Sequence, residues 1–229
     1  MLPAAILAGG LGTRLHPLTE TIPKALVEIN GEPFLAHQLR LLRASGIERV
    51  VLCIGHYGDR IREFAGYGAP FGITLEYSDD GPALLGTAGA IRRALPLLGD
   101  AFFVLYGDSY LPCSYAHVQS AFEENHQPAL MTVHRNEGRW DTSNVEFAGG
   151  RILAYDKKNR NSRMQYIDYG LGVFTPAAFT AASHTDLADV YRELLERGQL
   201  AAVEVPERFY ETGSWEGVRE LSNYLGGQR

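Results

Sequence analysis

The stretch PAAILAGGLGTRLHPLTETIPK, residues 3–24, decides what kind of fold this chain adopts. Its first part, residues 3–8, is a short apolar run that Gly9 and Gly10 bring to a stop. A fully apolar run of this length, ended by glycines, is typical of a strand buried on both faces of a parallel sheet. The glycine-rich remainder then lies at the carboxyl end of that strand, where open α/β sheets bind their ligands.

The loop after this strand combines a permissive backbone with positive charge. Glycines such as Gly10 and Gly12 let the backbone approach a ligand closely, and successive N–H groups in such a loop form a concave anion site. Arg14 adds a fork of donors for phosphate oxygens, and Lys24 adds a mobile charge. Leu15 stands where a dinucleotide-binding loop needs a third glycine or alanine, and the Gly-Lys-Ser/Thr of a P-loop is absent. The alternative is a surface turn that carries basic residues, and the spacing of the whole run favours phosphate binding over it.

Hydrophobic patterns predict strands and helices that alternate through the first 130 residues. Short apolar strands in such an alternation imply a mostly parallel sheet covered by helices on both faces. From about residue 140 the pattern changes to short strand-like runs separated by turns, and helices return at 185–197 and 214–225. We therefore expect one α/β domain over 1–229, with a doubly wound, mostly parallel open sheet in 1–135. A strand-rich insertion in 136–229 is expected to close over the edge of that sheet.

Composition restricts the partners. The chain has 229 residues, 21 basic and 27 acidic side chains and a formal net charge of -6. Nucleic acid is therefore not an expected partner, because binding a phosphate backbone favours a basic surface. The apolar residues 2–8 are too few to span a membrane and follow no basic segment, so we expect no signal peptide, no membrane partner and a cytoplasmic location. Neither Cys53 nor Cys113 belongs to a CxxC pair, which argues against a zinc site or a disulfide framework.

The run from Gly10 to Lys24 resembles the signature of the sugar-1-phosphate nucleotidyltransferases, and the resemblance covers nearly the whole chain. It implies a Rossmann-like sheet of the nucleotide-diphospho-sugar transferase type, with residues 1–135 binding nucleotide and 136–229 binding the sugar. It also implies that a nucleoside triphosphate and a sugar 1-phosphate react to give a nucleotide sugar and pyrophosphate. By this resemblance Arg14 holds the departing pyrophosphate, and Lys24 bridges the α-phosphate and the sugar phosphate. The expected nucleotide-binding residues are Leu7, Ala8, Gly9, Gly10, Gly12, Thr13, Gly86, Thr87 and Gly89.

Two carboxylates are candidates for a metal site. Asp108 follows the apolar run 102–106, so it is expected at the same sheet edge as the glycine loop. It matches the position of a metal-binding aspartate in the family and joins Arg14 and Lys24 as a catalytic residue. Glu211 stands where the family usually has a second aspartate. The alternative is that Glu211 belongs to the capping region of the next helix, in which Ser214 is the N-cap. Mg2+ takes one or two carboxylates with phosphate oxygens and water, so Mg2+ is the expected cofactor.

Base recognition is expected near the start of the helix that follows residue 85. Thr87 reads as the N-cap of this helix. A carboxylate in the preceding loop, residues 78–81, could accept hydrogen bonds from N1 and N2 of guanine, and solvated loop acids are the alternative. Residues 85–91 look closest to the heptose-1-phosphate guanylyltransferases, which implies GTP and a heptose or mannose 1-phosphate as substrates.

The sugar phosphate is expected to bind in the strand-rich part, at Asn144, Asp156, Lys157, Asp168 and Gly170. Asp156 and Lys157 resemble the family's Glu-Lys pair, but Lys158 follows directly, and the pattern does not decide between the two lysines. Asp168 could bind a sugar hydroxyl, while Gly170 would let the ring approach. The alternative for Asp168 is a solvent-facing acid in a turn.

Other functions remain open on the same scaffold. One is a uridylyltransferase for a muramic acid or hexose 1-phosphate, and another is a cytidylyltransferase for choline phosphate, which would need an aromatic cage for the quaternary ammonium. A sensor that binds a nucleotide sugar without turnover is disfavoured, because sensing needs fewer charges than Arg14, Lys24 and Asp108 supply together. A homodimer is compatible with the resemblance.

Overall fold

The structure is a computed structural model that describes residues 1–180 and 184–227. Its strands are β1 (Ala4–Leu7), β2 (Glu28–Ile29), β3 (Glu32–Pro33), β4 (Arg49–Ile54), β5 (Thr74–Asp79), β6 (Phe102–Tyr106), β7 (Ser109–Tyr110), β8 (Ala129–Arg135), β9 (Val145–Ala148), β10 (Arg151–Tyr155), β11 (Tyr166–Phe174), β12 (Leu200–Glu204) and β13 (Tyr210–Glu211). Its helices are α1 (Phe34–Ala44), α2 (Gly58–Ala65), α3 (Gly86–Leu98), α4 (Tyr115–Asn125), α5 (Leu187–Glu196) and α6 (Trp215–Gly226). None of these helices has both the length and the apolar composition needed to cross a bilayer.

The main sheet is mostly parallel, as expected. Its strands follow the order β10-β9-β11-β6-β1-β4-β5, and β8 pairs with β11 and with β12. β1 is parallel to both β4 and β6, whereas β11 is antiparallel to β6. From β1 the chain moves outward to β4 and β5 and then returns to place β6 on the other side of β1, so the strand order reverses there. Such a reversal opens a ligand crevice outside the carboxyl ends of the strands.

Helices cover both faces of this sheet, which is the doubly wound arrangement. Ala4 and Ile6 of β1 join a core that includes several buried residues of α1, α2 and α4. Ala5, between them, joins the opposite core, which includes those of α3 and α5. This alternation follows from the strand period of two, and it explains why β1 is apolar throughout. α6 packs elsewhere, with its Leu221 in a small cluster that contains Ile29 of β2.

The strand-rich part differs from the expected insertion over the sheet edge. β9 and β10 extend the same sheet, because the first residue of the long strand β11, Tyr166, pairs with Val145 of β9. The later residues of β11 pair with both β6 and β8. β12 was not predicted; its short sequence, Leu-Ala-Ala-Val-Glu, shows little periodicity, and it pairs in parallel with β8.

Candidate active site

The glycine loop leaves β1 and folds back on itself at the carboxyl end of the sheet. Gly12 has a left-handed backbone, with φ of 65°, and the hydroxyl of Thr19 donates to its carbonyl at 2.7 Å. A Cβ at Gly12 would lie 3.1 Å from Cγ2 of Thr19 and 3.3 Å from Cβ of Lys24. A side chain at this position would therefore be both strained and crowded, which accounts for glycine here. The folded loop brings Lys24 toward the end of β1.

Asp108 faces this loop from the end of β6. Lys24 Nζ donates to Asp108 Oδ2, so the structure brings these two expected catalytic residues into contact. The backbones of Gly107 and Leu7 also lie close together beside this pair, because the Gly107 N–H donates to the Leu7 carbonyl at 2.9 Å. A Cβ at Gly107 would lie 2.7 Å from that carbonyl oxygen, so only glycine allows the approach.

Glu211 lies beside Asp108 because the short strands β7 and β13 pair. Ser109 is in register with Glu211, and the Thr212 N–H donates to the Asp108 carbonyl at 2.8 Å. The Glu211 carboxylate accepts hydrogen bonds from Gly213 N and Ser214 Oγ. The N-cap expected at Ser214 is confirmed, since its hydroxyl accepts from the N–H of residue 217 in the first turn of α6 at 3.0 Å.

Charged side chains converge on Gly213. A Cβ at this glycine would lie 2.5 Å from Glu211 Oε2, 2.6 Å from Arg14 Nη2 and 2.7 Å from Lys24 Nζ. Two cationic ends and a carboxylate therefore meet within a few ångströms, next to Asp108. Such a mixture of charges suits a phosphate chain accompanied by a cation.

The donor set fits a magnesium ion that arrives with a phosphate ligand. Mg2+ is usually held by one or two carboxylates, with substrate phosphates and water completing its coordination. Asp108 and Glu211 can supply those carboxylates. No group of three or more His, Cys, Asp or Glu side chains within the described residues could hold a metal. These carboxylates alone would therefore bind a metal incompletely, and the remaining ligands would come from the substrate.

A first cavity lies above β1, β4 and β6, and most of the expected nucleotide-binding residues line it. Those that do are Leu7, Ala8, Gly9, Gly10, Gly12, Gly86 and Thr87. Thr13 and Gly89 are not part of its lining: Thr13 is exposed in the short turn Thr13–Leu15, and Gly89 is buried inside α3. Lys24 and Asp108 complete the cavity on the side of the charged cluster.

The prediction of Thr87 as an N-cap is wrong. α3 begins at Gly86, and the Thr87 hydroxyl accepts instead from the Leu187 N–H at 2.7 Å. The Ala88 N–H in the first turn of α3 donates to the Thr185 carbonyl at 2.9 Å. The segment before α5 thus supplies the acceptor that a capping side chain would have provided, a long-range contact that no local pattern reveals.

Asp80 also lines the first cavity, from the end of β5. It is 6% exposed, and its Oδ2 accepts from the Leu85 N–H at 3.3 Å. That oxygen would lie 3.4 Å from a Cβ at Gly9 and 3.2 Å from one at Gly55, so the two glycines leave room for the carboxylate. Burial raises the pKa of Asp80, and the Leu85 N–H opposes that rise. Of the acids in the loop, Asp80 is therefore the one that can meet a ligand inside the cavity, whereas Asp79 is exposed.

A second cavity adjoins the first, and Tyr106 and Asp108 line both. Of the expected sugar-phosphate residues, Asn144, Lys157, Asp168 and Gly170 line it, and Arg14 and Glu211 line it as well. Asp156 is not brought to it. The Asp156 carboxylate accepts from the N–H groups of Lys158 and Asn159, at 2.7 and 2.8 Å, in the exposed turn after β10. These hydrogen bonds lower the pKa of Asp156.

Lys157 and Asp168 form a pair on the wall of the second cavity. Lys157 Nζ lies 3.8 Å from Asp168 Oδ2 and 5.5 Å from the centre of the Tyr106 ring. Burial disfavours the charge on Lys157, but the negative charge of Asp168 and the other neighbours outweigh it, so the pKa of Lys157 is raised. Lys157, rather than Lys158, is thus the lysine that lines the cavity.

A bulge in β11 places Asp168 and Gly170 at this wall. The register with β8 shifts between Asp168 and residue 172, and Gly170 has φ of 93°. Asp168 Oδ1 accepts from the Gly170 N–H at 3.1 Å, and its Oδ2 accepts from the Tyr155 hydroxyl at 3.3 Å. Asn144 Oδ1 in turn accepts from the Asp168 N–H at 2.9 Å. Asp168 therefore holds the bulge and orients Lys157.

The rim of the second cavity contains residues that the sequence did not suggest: Trp140, Asp141, Thr142 and Arg160. The buried Asn136 shapes this rim, since its side chain donates to the Asp141 carbonyl at 2.6 Å and accepts from the Trp140 N–H at 3.2 Å. The Arg208 guanidinium stacks on the Trp140 ring, 3.4 Å from its centre. The local sequence here offers only an asparagine followed by a glycine-containing turn, and that pattern does not predict a ligand-binding site.

The sequence of this chain is similar to those of known proteins. A family model described as nucleotidyl transferase matches residues 3–226. The chain is 32% identical over 184 residues to a glucose-1-phosphate thymidylyltransferase of Streptomyces antibioticus, covering 79% of this chain and 51% of the relative. It is 29% identical over 235 residues to the mannose-1-phosphate guanylyltransferase catalytic subunit beta of Danio rerio, covering 99% of this chain and 63% of the relative. The chain thus spans between half and two thirds of the length of these curated relatives.

The fold also has close structural counterparts. The crystal structure of HddC from Yersinia pseudotuberculosis, complexed with GMP-PN, superposes with a TM-score of 0.81 at 22% identity, covering 98% of this chain and all of the other. At that identity the likeness establishes the fold. The doubly wound sheet with its reversal at β1 is therefore an arrangement that this chain shares with solved proteins.

Proposed function

Because this chain belongs to the nucleotidyl transferase family, we propose that it joins a nucleoside triphosphate to a sugar 1-phosphate and releases pyrophosphate. The observation that carries the proposal is the charged cluster at the strand reversal. Lys24 contacts Asp108 there, and Arg14, Lys24 and Glu211 converge on Gly213. The first cavity takes the nucleotide and the second takes the sugar phosphate, so the reacting groups meet at the wall that the cavities share.

The proposed reaction requires the protein mainly to align the two substrates and to neutralise their charge. An oxygen of the sugar phosphate attacks the α-phosphorus in line, and pyrophosphate departs. This oxygen is already ionised at neutral pH, so no protein base is needed, and catalysis consists of alignment and charge neutralisation. Lys24 exchanges Asp108 for the reacting phosphates, and Arg14 holds the departing pyrophosphate. Asp108 and Glu211 would hold Mg2+, which neutralises phosphate charge when it is bound.

Pyrophosphate release tests this proposal directly. Four nucleoside triphosphates would be combined in turn with mannose, glucose, heptose and muramic acid 1-phosphates, with Mg2+ present. We expect release to require both substrates and to be fastest with GTP and a mannose or heptose 1-phosphate. Binding of substrates without pyrophosphate release in any pairing would instead support a sensor, and fastest release with UTP or dTTP would reassign the base.

We propose GTP as the triphosphate because of Asp80. Guanine presents N1–H and N2–H groups on one edge, and a carboxylate can accept from both. A buried carboxylate in the nucleotide cavity gains most from such donors, since its ionised form is otherwise poorly solvated. The guanylyltransferase name of the Danio rerio relative supports the same base. Thymine and uracil offer only the N3–H group on the corresponding edge, so they satisfy Asp80 less fully.

Asp80→Asn is expected to lower kcat/KM for GTP about 10- to 100-fold, the scale of a lost hydrogen bond to a charged group. Inosine triphosphate lacks the N2 amine, so wild type should prefer GTP over it, and the variant should lose most of that preference. Steady-state kinetics with both triphosphates measure this. Because burial raises the Asp80 pKa and only its ionised form accepts both bonds, the preference for GTP should also weaken as the pH falls through that pKa.

The neighbouring Asp79→Asn is the matched control, because Asp79 is exposed and its ion pair with Arg62 lies at the surface. It should leave the GTP to inosine triphosphate ratio near the wild-type value. An equal change in both variants, or an unchanged ratio in Asp80→Asn, would remove Asp80 from base recognition.

Lys157→Met is expected to raise KM for the sugar 1-phosphate about tenfold and to leave KM for the triphosphate near its wild-type value. Lys157 lines the second cavity and not the first, and the loss of one charge-assisted hydrogen bond is worth roughly this factor. Lys158→Met provides the control, since the same change one residue away lies outside the cavity. Similar kinetics for the two variants would show that the position of Lys157 on the cavity wall has no consequence for sugar binding.

A further inference from the structure

Gln38 is a polar residue on the buried, otherwise apolar face of α1. The buried residues around it are Phe34, Leu35, Ala36, Leu39 and Leu42. Gln38 itself is 1% exposed. A buried amide destabilises a protein unless its hydrogen bonds are made, so this position needs a specific reason for glutamine.

The Gln38 amide bonds to the backbone on both sides of Asp108. Its Nε2 donates to the Tyr106 carbonyl at 2.9 Å and to the Ser109 carbonyl at 2.8 Å. Both hydrogens of the amide are therefore used by the turn that carries the Asp108 carboxylate. Among the described residues, Gln38 Oε1 accepts no hydrogen bond. The reverse orientation of the amide would set that oxygen against two carbonyl oxygens, so the observed orientation is the only stable one.

The same turn is held from its other side. The Thr212 N–H and hydroxyl donate to the Asp108 carbonyl at 2.8 and 3.3 Å, and Thr212 is fully buried. Carbonyls of residues 106, 108 and 109 are thus all bonded to donors from other parts of the chain. Because Ser109 is in register with Glu211, the Gln38 bond to Ser109 also fixes the strand pair that carries the second carboxylate.

We propose that Gln38 is a positioning residue that sets the separation and direction of the Asp108 and Glu211 carboxylates for a divalent cation. The inference rests on the function proposed above, in which those carboxylates take Mg2+ together with the triphosphate. Groups that orient metal ligands commonly change metal affinity on the order of 10- to 100-fold when they are removed. Gln38 would act through its hydrogen bonds to the turn that carries Asp108, and it would not touch a substrate.

Nucleotide binding with and without metal isolates this role. The Kd for GTP would be measured by calorimetry in EDTA and in saturating Mg2+, without sugar phosphate so that no turnover occurs. The ratio of the two Kd values gives the contribution of the metal. Gln38→Met removes both donors at nearly constant volume, and we expect it to reduce this ratio about tenfold while the Kd in EDTA stays unchanged. The Mg2+ concentration that half-activates the enzyme should rise in parallel.

Leu42→Ala is the control for lost stability, because Leu42 lies one turn further along the same buried face and is fully buried. It should lower the melting temperature and leave the ratio of Kd values intact. Should Gln38→Met fail to fold, Gln38→Asn retains the amide but is too short to reach both carbonyls, and the same reduction is expected. An unchanged ratio in the folded Gln38 variant, or an equal reduction in Leu42→Ala, would overturn the inference. Failure of the wild-type protein to bind GTP, UTP or dTTP would instead contradict the proposed function itself, and if UTP or dTTP binds in place of GTP, the same ratio is measured with that triphosphate.

Discussion

Asp108→Asn is expected to lower kcat roughly a thousandfold while the protein stays folded, the scale seen when a group that stabilises transition-state charge is lost. The substitution removes a full negative charge from the proposed cation site and changes the side-chain shape very little. It also takes away the ionic partner of Lys24. Lys24 would then hold phosphate without competition from Asp108, so GTP binding in EDTA should be retained or tightened. Pyrophosphate release and calorimetry together measure these two opposite effects.

Asp100→Asn is a suitable control, since Asp100 is an exposed aspartate in the turn after α3. It should have wild-type kinetics. A rate in Mg2+ within a few-fold of wild type for Asp108→Asn would exclude Asp108 as the metal carboxylate, whatever its effect on nucleotide binding.

Gly213→Ala is expected to lower kcat/KM by about two orders of magnitude, comparable to misplacing reacting groups by about an ångström. The added methyl group would lie within 2.7 Å of the ends of Arg14, Lys24 and Glu211, so each must move. These are the tips of flexible side chains, and the backbone of Gly213 is not left-handed, so the fold can accept the methyl group. The expected result is thus a large loss of activity with little change in melting temperature.

Gly226→Ala offers the matched comparison. The nearest atom to its added methyl group is Asn30 Nδ2, at 3.9 Å, and Gly226 ends α6 far from the charged cluster. Activity should be unchanged there. If Gly213→Ala retained wild-type kinetics, the convergence of the three charged side chains would not matter for turnover.

Local sequence pattern was enough to predict the sheet and one edge of the site. The strands and helices that the sequence predicts to alternate through the first 130 residues are present. Strands such as β1 and β6 could be predicted because a strand buried on both faces must be apolar. The glycine that follows each of them, Gly9 and Gly107, marks where the strand ends. Lys24 and Asp108 could be brought together in advance because parallel strands align their carboxyl ends.

Contacts that a local sequence pattern does not reveal account for what the sequence did not predict. Thr87 has the local pattern of an N-cap, but the Thr185 carbonyl in the segment before α5 accepts the hydrogen bond from the first turn of α3. The Asp156 carboxylate accepts hydrogen bonds within its own turn and does not line the second cavity. The sequence pattern does not distinguish Asp80 from Asp79, because the burial of Asp80 depends on how the loop folds. No local pattern marks the role of Gln38, because its hydrogen-bond partners are carbonyls about 70 residues away.

The shared wall between the two cavities has a thermodynamic consequence. Tyr106 and Asp108 border both, so a molecule with a nucleotide at one end and a sugar at the other can fill both cavities at once. Such a molecule loses its translational freedom only once, whereas two separate substrates lose it twice. Under the proposed function this molecule is the nucleotide sugar, and we expect it to be retained more tightly than either cavity alone would hold its half. We therefore expect release of this product, rather than bond formation, to limit turnover of the proposed reaction.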